Sequence, residues 1–138
     1  MKILLLLVSI IFLESLEIDQ EIHKEKIINW ESLIVTATAY NSIEGQGQGN
    51  SSLTAWGDTL KPGMKSIAVS RDLLLKGLQY HTPVKIEGLE GIYIVNDKMH
   101  SRWRNKIDIY MGTNKEKALQ WGKKKVEICF PSKKENTQ

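Results

Sequence analysis

Ile92-Tyr93-Ile94-Val95-Asn96-Asp97 and, after a basic connection, Lys106-Ile107-Asp108-Ile109-Tyr110 are the stretches that decide how this sequence folds. Both are dense in β-branched and aromatic side chains, and both are too short for helices, so they read as strands. In the second, Ile107 and Ile109 share one face of the strand, while Lys106, Asp108 and Tyr110 share the other. An acid between two isoleucines has two readings. One is a solvent-face residue paired with Lys106; the other is a functional carboxyl fixed by a rigid strand. The residues alone leave both open. Asp97, eleven positions earlier at a strand end, reads either as a turn cap or as a partner to Asp108.

Working outward, the connection from Lys98 to Lys106 holds Lys98, Arg102, Arg104 and Lys106, with Trp103 and no acid. It is either a solvated loop with Trp103 tucked inward or the wall of a cleft. As a cleft wall, Trp103 offers a flat apolar face to a sugar ring and the cations meet anionic groups. Further β-type runs are Leu33–Tyr40, Ser66–Val69, Val84–Glu87 and Val126–Phe130. Turn residues separate them, at Lys61-Pro62-Gly63, His81-Thr82-Pro83, Glu87-Gly88 and Glu90-Gly91. Asp72–Leu78 predicts a helical turn with Ser70 as N-cap and Gly77 near its end. Asn114–Trp121 predicts a short helix capped by Thr113 or Asn114 and stopped by Gly122, with Ala118, Leu119 and Trp121 toward the core. The glycine-rich stretch from Glu44 to Ser52 predicts a mobile loop. No Lys-Ser/Thr follows its glycines, so it is no phosphate loop. Six short strands with two short helices predict an all-β domain in which the sheet closes into a small barrel and so removes exposed edges.

Length and composition bound what this domain does. The chain has 138 residues and a formal charge of only +3, which suits one domain and gives no argument for nucleic acid. Met1-Lys2 followed by the apolar run Ile3–Leu13 matches the start of a secretory leader. The run is shorter than the roughly 20 residues of a comfortable membrane span. No small-residue cleavage site follows, so the leader is either removed or kept as a membrane anchor. The expected division is a leader or anchor over 1–18, a spacer over 19–31, the barrel over 32–130 and a polar tail over 131–138. Cys129 has no partner for an intramolecular disulfide and reads as a small buried hydrophobe in the last strand. His23, His81 and His100 form no ligand pattern, and no Cys/His spacing suggests zinc. No metal or organic cofactor is expected.

Five segments together resemble the three-aspartate (3D) domain, shared with membrane-bound lytic transglycosylase A and bacterial stationary-phase survival proteins. They are Thr36-Ala37-Thr38-Ala39-Tyr40, Thr54-Ala55-Trp56-Gly57, Ile67-Ala68-Val69-Ser70, Val95-Asn96-Asp97 and Lys106-Ile107-Asp108-Ile109-Tyr110. The resemblance covers roughly Leu33 to Ile128 and lies in the order and the aspartate spacing rather than in any one motif. It implies a six-stranded double-psi β-barrel. It also implies cleavage of the β-1,4 bond between N-acetylmuramic acid and N-acetylglucosamine in peptidoglycan. Asp108 takes the position of the catalytic acid/base, and Asp97 that of a second aspartate in the same cleft. Thr38, Tyr40, Trp56, Lys98, Arg102 and Trp103 are the expected glycan contacts, Trp56 serving core packing equally well. Two departures stand in the sequence. Ser70 occupies the place of the first of the three aspartates, with Asp72 two residues on, and Lys98-Met99-His100 replaces the usual Thr-Gly-Gly run.

A lytic transglycosylase needs one carboxyl group where ordinary glycosidases use two, because the sugar's own C6 hydroxyl is the nucleophile and a 1,6-anhydro ring is the product. The rivals are a hydrolase in which Asp97 activates water, a non-catalytic peptidoglycan-binding barrel, and a purely structural barrel. Glycan strands are the expected partner, with the protein exported to the cell envelope as a monomer.

Overall fold

A computed structural model describes residues 1–23, 28–42 and 52–133. The first element, α1 (Lys2–His23), carries the apolar run. Its side chains from Ile3 to Leu13 are exposed, Leu4 at 66%. No helix among the described residues is long and apolar enough to cross a membrane. The glycine-rich stretch 44–51, residues 24–27 of the spacer and 134–138 of the tail lie outside the described residues.

Six strands follow: β1 (Trp30–Tyr40), β2 (Ser66–Val69), β3 (Pro83–Ile86), β4 (Tyr93–Lys98), β5 (Lys106–Tyr110) and β6 (Lys124–Pro131). They form one mixed sheet that closes into a ring in the order β1-β5-β2-β4-β3-β6. The pairs β1/β5 and β2/β4 are parallel and the other four antiparallel. With β3 held by only two residue pairs on each side, the ring is irregular rather than an even barrel. β1 is longer than expected, because its first residues pair with the far end of β6, Trp30 opposite Pro131.

Alternation fills the ring. Val35, Ala37, Ile67, Val69, Val95, Ile107, Ile109 and Ile128 have no exposed surface and pack together inside. Burying each of the valines and isoleucines contributes roughly 1.5–3 kcal/mol. Helix α2 (Arg71–Leu75) is shorter than expected. Ser70 precedes it with extended dihedrals and makes no side-chain cap bond, because its hydroxyl is used elsewhere. Leu73 and Leu78 add to the core from this segment. In α3 (Lys115–Trp121), Asn114 caps the start by accepting from the Lys117 amide at 2.9 Å, and Gly122 ends it at φ 66°.

Two expected core residues are not buried. Leu119 is 71% exposed, since α3 lies on the surface with only Ala118 and Trp121 half-buried. Cys129 is a free thiol, half-buried, on the outer face of β6, where Val126, Ile128 and Phe130 take the inward positions.

Candidate functional site

The site arises from register. Thr38 of β1 pairs with Asp108 of β5, Asp108 with Ala68 of β2, and Ala68 with Asp97 of β4. These four residues form one transverse row across four neighbouring strands, on the face opposite the aliphatic core. Strict alternation would not put Asp97 there. Tyr93 and Val95 point inward, so a regular β4 would send Asp97 the same way. A bulge intervenes: Ile67 pairs with Val95, but Ala68 pairs with Asp97, and Asn96 is skipped. That extra residue turns Asp97 onto the face of Asp108.

Asp108 accepts a hydrogen bond from the Thr38 hydroxyl at 2.8 Å. Its pKa is raised. Burial is the main cause, the Thr38 hydrogen bond and the charge of Lys106 oppose it, and the charge of Asp97 adds to it. Asp97 Oδ1 accepts from two backbone amides, those of Ala55 and Lys98, both at 2.8 Å. The bond from Ala55 fastens a small hairpin, bridged at Leu53 and Thr59, to the end of β4. Trp56 is thereby set beside Asp97, with the Lys98 ammonium 5.4 Å from its ring centre. Its ring also meets Tyr80 at 5.0 Å and packs partly against the core, so it is both a packing residue and an accessible wall.

Tyr40 lies one step along β1 on the same face, its ring 5.4 Å from that of Tyr110. The Tyr110 hydroxyl is 2.7 Å from that of Ser42. The Tyr40 hydroxyl is buried and has no hydrogen-bond partner among the described residues. Burial first, then the charges of Asp97, Asp108 and Tyr110, push its pKa up, so it keeps its proton as a donor facing the carboxyls.

The basic connection sits at the other end. Lys106 shares the Asp108 face, but its ammonium lies 3.8 Å from the Trp103 ring centre instead of pairing with Asp108. The Arg102 guanidinium is 4.9 Å from the same ring. Trp103 and Arg102 therefore join the row only through Lys106, whereas Thr38, Tyr40, Trp56 and Lys98 are gathered directly around it.

Ser70 and Asp72 are outside the row. Ser70 is fully buried and its hydroxyl accepts from the Lys106 amide at 3.0 Å. Asp72 accepts from the Asn105 amide at 2.9 Å. Burial opposes its charge, but hydrogen bonds led by the Ser70 hydroxyl and the Asn105 amide outweigh that, and its pKa is lowered. Asn105, at φ 47°, also donates from its side chain to the Ile34 carbonyl at 3.1 Å. Together these residues fix the start of β5 two residues before Asp108.

Sequence reasoning missed Asp58. It accepts from the Tyr80 hydroxyl at 2.8 Å and from the Asn96 side-chain amide at 3.2 Å; both bonds lower its pKa, that from Tyr80 more. It thus ties the hairpin to the bulged residue. The one available signal was the Thr54-Ala55-Trp56-Gly57-Asp58 turn, with Gly57 at φ 89°. Among the described residues, no group of three or more His, Cys, Asp or Glu is placed to hold a metal.

Comparison with known proteins finds no matching protein-family model and no matching curated protein. Among solved structures the chain shows distant similarity to a bacterial expansin. The apo expansin of Clavibacter michiganensis aligns over 77% of this chain and 53% of its own, at 18% identity and a TM-score of 0.49. A substituted form of that expansin in complex with cellohexaose aligns over 78% and 53%, at 18% identity and a TM-score of 0.46. The chain spans about half the length of these structures.

Proposed function

We propose that the carboxyl row is a glycan site and that the protein binds the glycan strands of peptidoglycan on this face, after export to the cell envelope. The observation that carries the reading is the row itself: Thr38, Asp108, Ala68 and Asp97 facing one way, with Trp56 at the Asp97 end. Ala68 leaves a low floor between two carboxyls whose backbones are two strand spacings apart, about 10 Å. An aromatic wall beside hydroxyl-seeking carboxylates suits a sugar, which has apolar C–H faces and polar edges. The order of motifs shared with the three-aspartate domain supplies the polymer, and the same resemblance assigns the ring to the double-psi class. Binding of purified strands, measured by co-sedimentation for the unsubstituted protein and for Trp56→Ala, tests the reading. Loss in the variant supports it, and absence of binding in the unsubstituted protein sinks it.

On this face Asp108 is suited to be the acid/base of a lytic transglycosylase. Burial favours its protonated form, and that proton goes to the bridging oxygen as the C1–O bond breaks. The resulting carboxylate takes the proton of the C6 hydroxyl, whose oxygen bonds to C1 and closes the anhydro ring. Asp97, fastened by two amides, opposes charge on Asp108 and stabilises the cationic sugar. A binding-only barrel is the second reading, and Ser70 favours it. Where the resemblance has an aspartate, this chain has a buried hydroxyl occupied by the Lys106 amide, and Asp72 holds Asn105 instead of joining the row.

A further inference from the structure

Next to the carboxyl row is a second concavity that the glycan reading does not use. It lies at the end of the ring where β1 and β5 finish and β2 and β4 begin, and it encloses about 230 Å³. Lys65, Lys117, Tyr93, Tyr110, Gly112 and Asn114 are among its lining residues, and no acidic side chain among the described residues lines it. Lys65 is a placed cation. Its ammonium donates to the Glu90 carbonyl and stands 5.9 Å from the Tyr93 ring centre. Gly91 gives it room, since a side chain at that position would collide with the ammonium. Gly112, at φ 60°, lets the turn at Pro62 close the wall. Tyr110 belongs both to this pocket and to the Asp108 face of β5, two residues or about 7 Å along the strand.

We propose that this pocket receives a carboxylate of the peptide stem carried by the muramic acid sugar. The inference rests on the glycan reading above and deepens it by naming the peptide-bearing strand as ligand. Charge selects the occupant. Two ammonium groups without a lining acid among the described residues call for an anion, which a neutral sugar ring does not supply. The chemistry of the strand places one there. The sugar whose C1 bond meets Asp108 is the one that carries the stem, through the lactyl group on C3, so the stem leaves the strand a few ångströms from the scissile bond.

The test measures binding by the full chain carrying Asp108→Asn, so that strands stay intact. Three ligands are compared: strands with stems, strands whose stems have been removed by an amidase and whose freed lactyl carboxylates have then been capped as amides, and strands whose stem carboxylates have been amidated. The stem-bearing strands are expected to bind roughly tenfold tighter than either of the others, with the preference shrinking as salt rises. Adding Lys65→Gln and Lys117→Gln should abolish the preference and leave the affinity for stripped strands unchanged. Equal affinity for all three ligands, or a preference that survives the double substitution, overturns the inference while leaving the glycan reading standing. Binding to no strand of any kind overturns both. If the double variant does not fold, the amidated strands on the unsubstituted pocket still decide, because loss of preference there needs no change in the protein.

Discussion

Replacing Tyr40 by Phe should make the protein more stable and less able to handle its ligand. The Tyr40 ring packs against Tyr110 at 5.4 Å, and phenylalanine keeps that contact. What it loses is a buried hydroxyl with no partner among the described residues. Folding strips that hydroxyl of water and no described residue returns a hydrogen bond, a cost of about 1–3 kcal/mol. Tyr40→Phe should recover much of it, and about 1 kcal/mol raises the melting temperature by roughly 4–8 °C for a domain of this size. Urea unfolding at neutral pH, with the m-value checked for constancy, reads the change directly. The counterpart is a fall in affinity for glycan strands, because the hydroxyl is a donor held ready for a sugar oxygen or for Asp108. A phenylalanine variant that is less stable than the parent refutes the reasoning, since it would show that the hydroxyl is satisfied in the folded protein.

Other expectations follow from the same geometry. Asp108→Asn should lower strand cleavage by about 10²–10⁴-fold with binding retained, read by product release against co-sedimentation; Asp97→Asn should cost less. The raised pKa of Asp108 also fixes a stability profile. The folded state holds that proton to higher pH than the unfolded chain, whose value is near 3.8. The stability it gives is therefore full below about pH 3.8 and lost as pH rises through the folded pKa. Melting curves should accordingly show Asp108→Asn gaining on the parent between pH 3 and pH 7; a constant difference argues against the shift. Asp72→Ala removes the acceptor of the Asn105 amide and should cost about 1 kcal/mol while lowering cleavage more than binding, because it loosens the start of β5. A reporter fused after Asn29 should be active only outside the cytoplasm, and export that survives charged substitutions in Leu4–Leu7 contradicts the proposed location.

Much of the fold was legible because alternation is a strong constraint. Ile107 and Ile109 around Asp108, and Val126, Ile128 and Phe130 in the last strand, announce an inner and an outer face without any partner strand in view. The Asn114 cap and Gly122 stop bracket α3 equally well. What sequence could not supply is the pairing order of strands far apart in the chain, and the site depends on it: the row exists only because β5 lies between β1 and β2. The same alternation rule misplaces Asp97, which reaches the row through the skipped Asn96. Leu119 and Cys129 went wrong for a related reason, since apolar character marks a residue as able to be buried and the ring had no inward position left for either. Trp103 looked like the natural cleft wall, but Lys106 and Arg102 lie against its ring, and the aromatics beside the carboxyls are Tyr40 and Trp56. Ser70 was read as a lost aspartate. Its hydroxyl in fact holds the Lys106 amide, a role that no composition or spacing announces.

The central claim is that this face engages peptidoglycan strands with Asp108 as the reacting acid. Mass analysis of purified strands incubated with the protein and with Asp108→Asn tests it most directly. The account predicts fragments with 1,6-anhydro ends from the unsubstituted protein and intact, still bound strands from the variant. Reducing ends would replace the sugar's hydroxyl by water as nucleophile and keep Asp108 as the acid, whereas bound but uncut strands in both samples would contradict its reacting role and leave a docking barrel. Equal cleavage by both proteins, or strands neither bound nor cut by either, would contradict the claim.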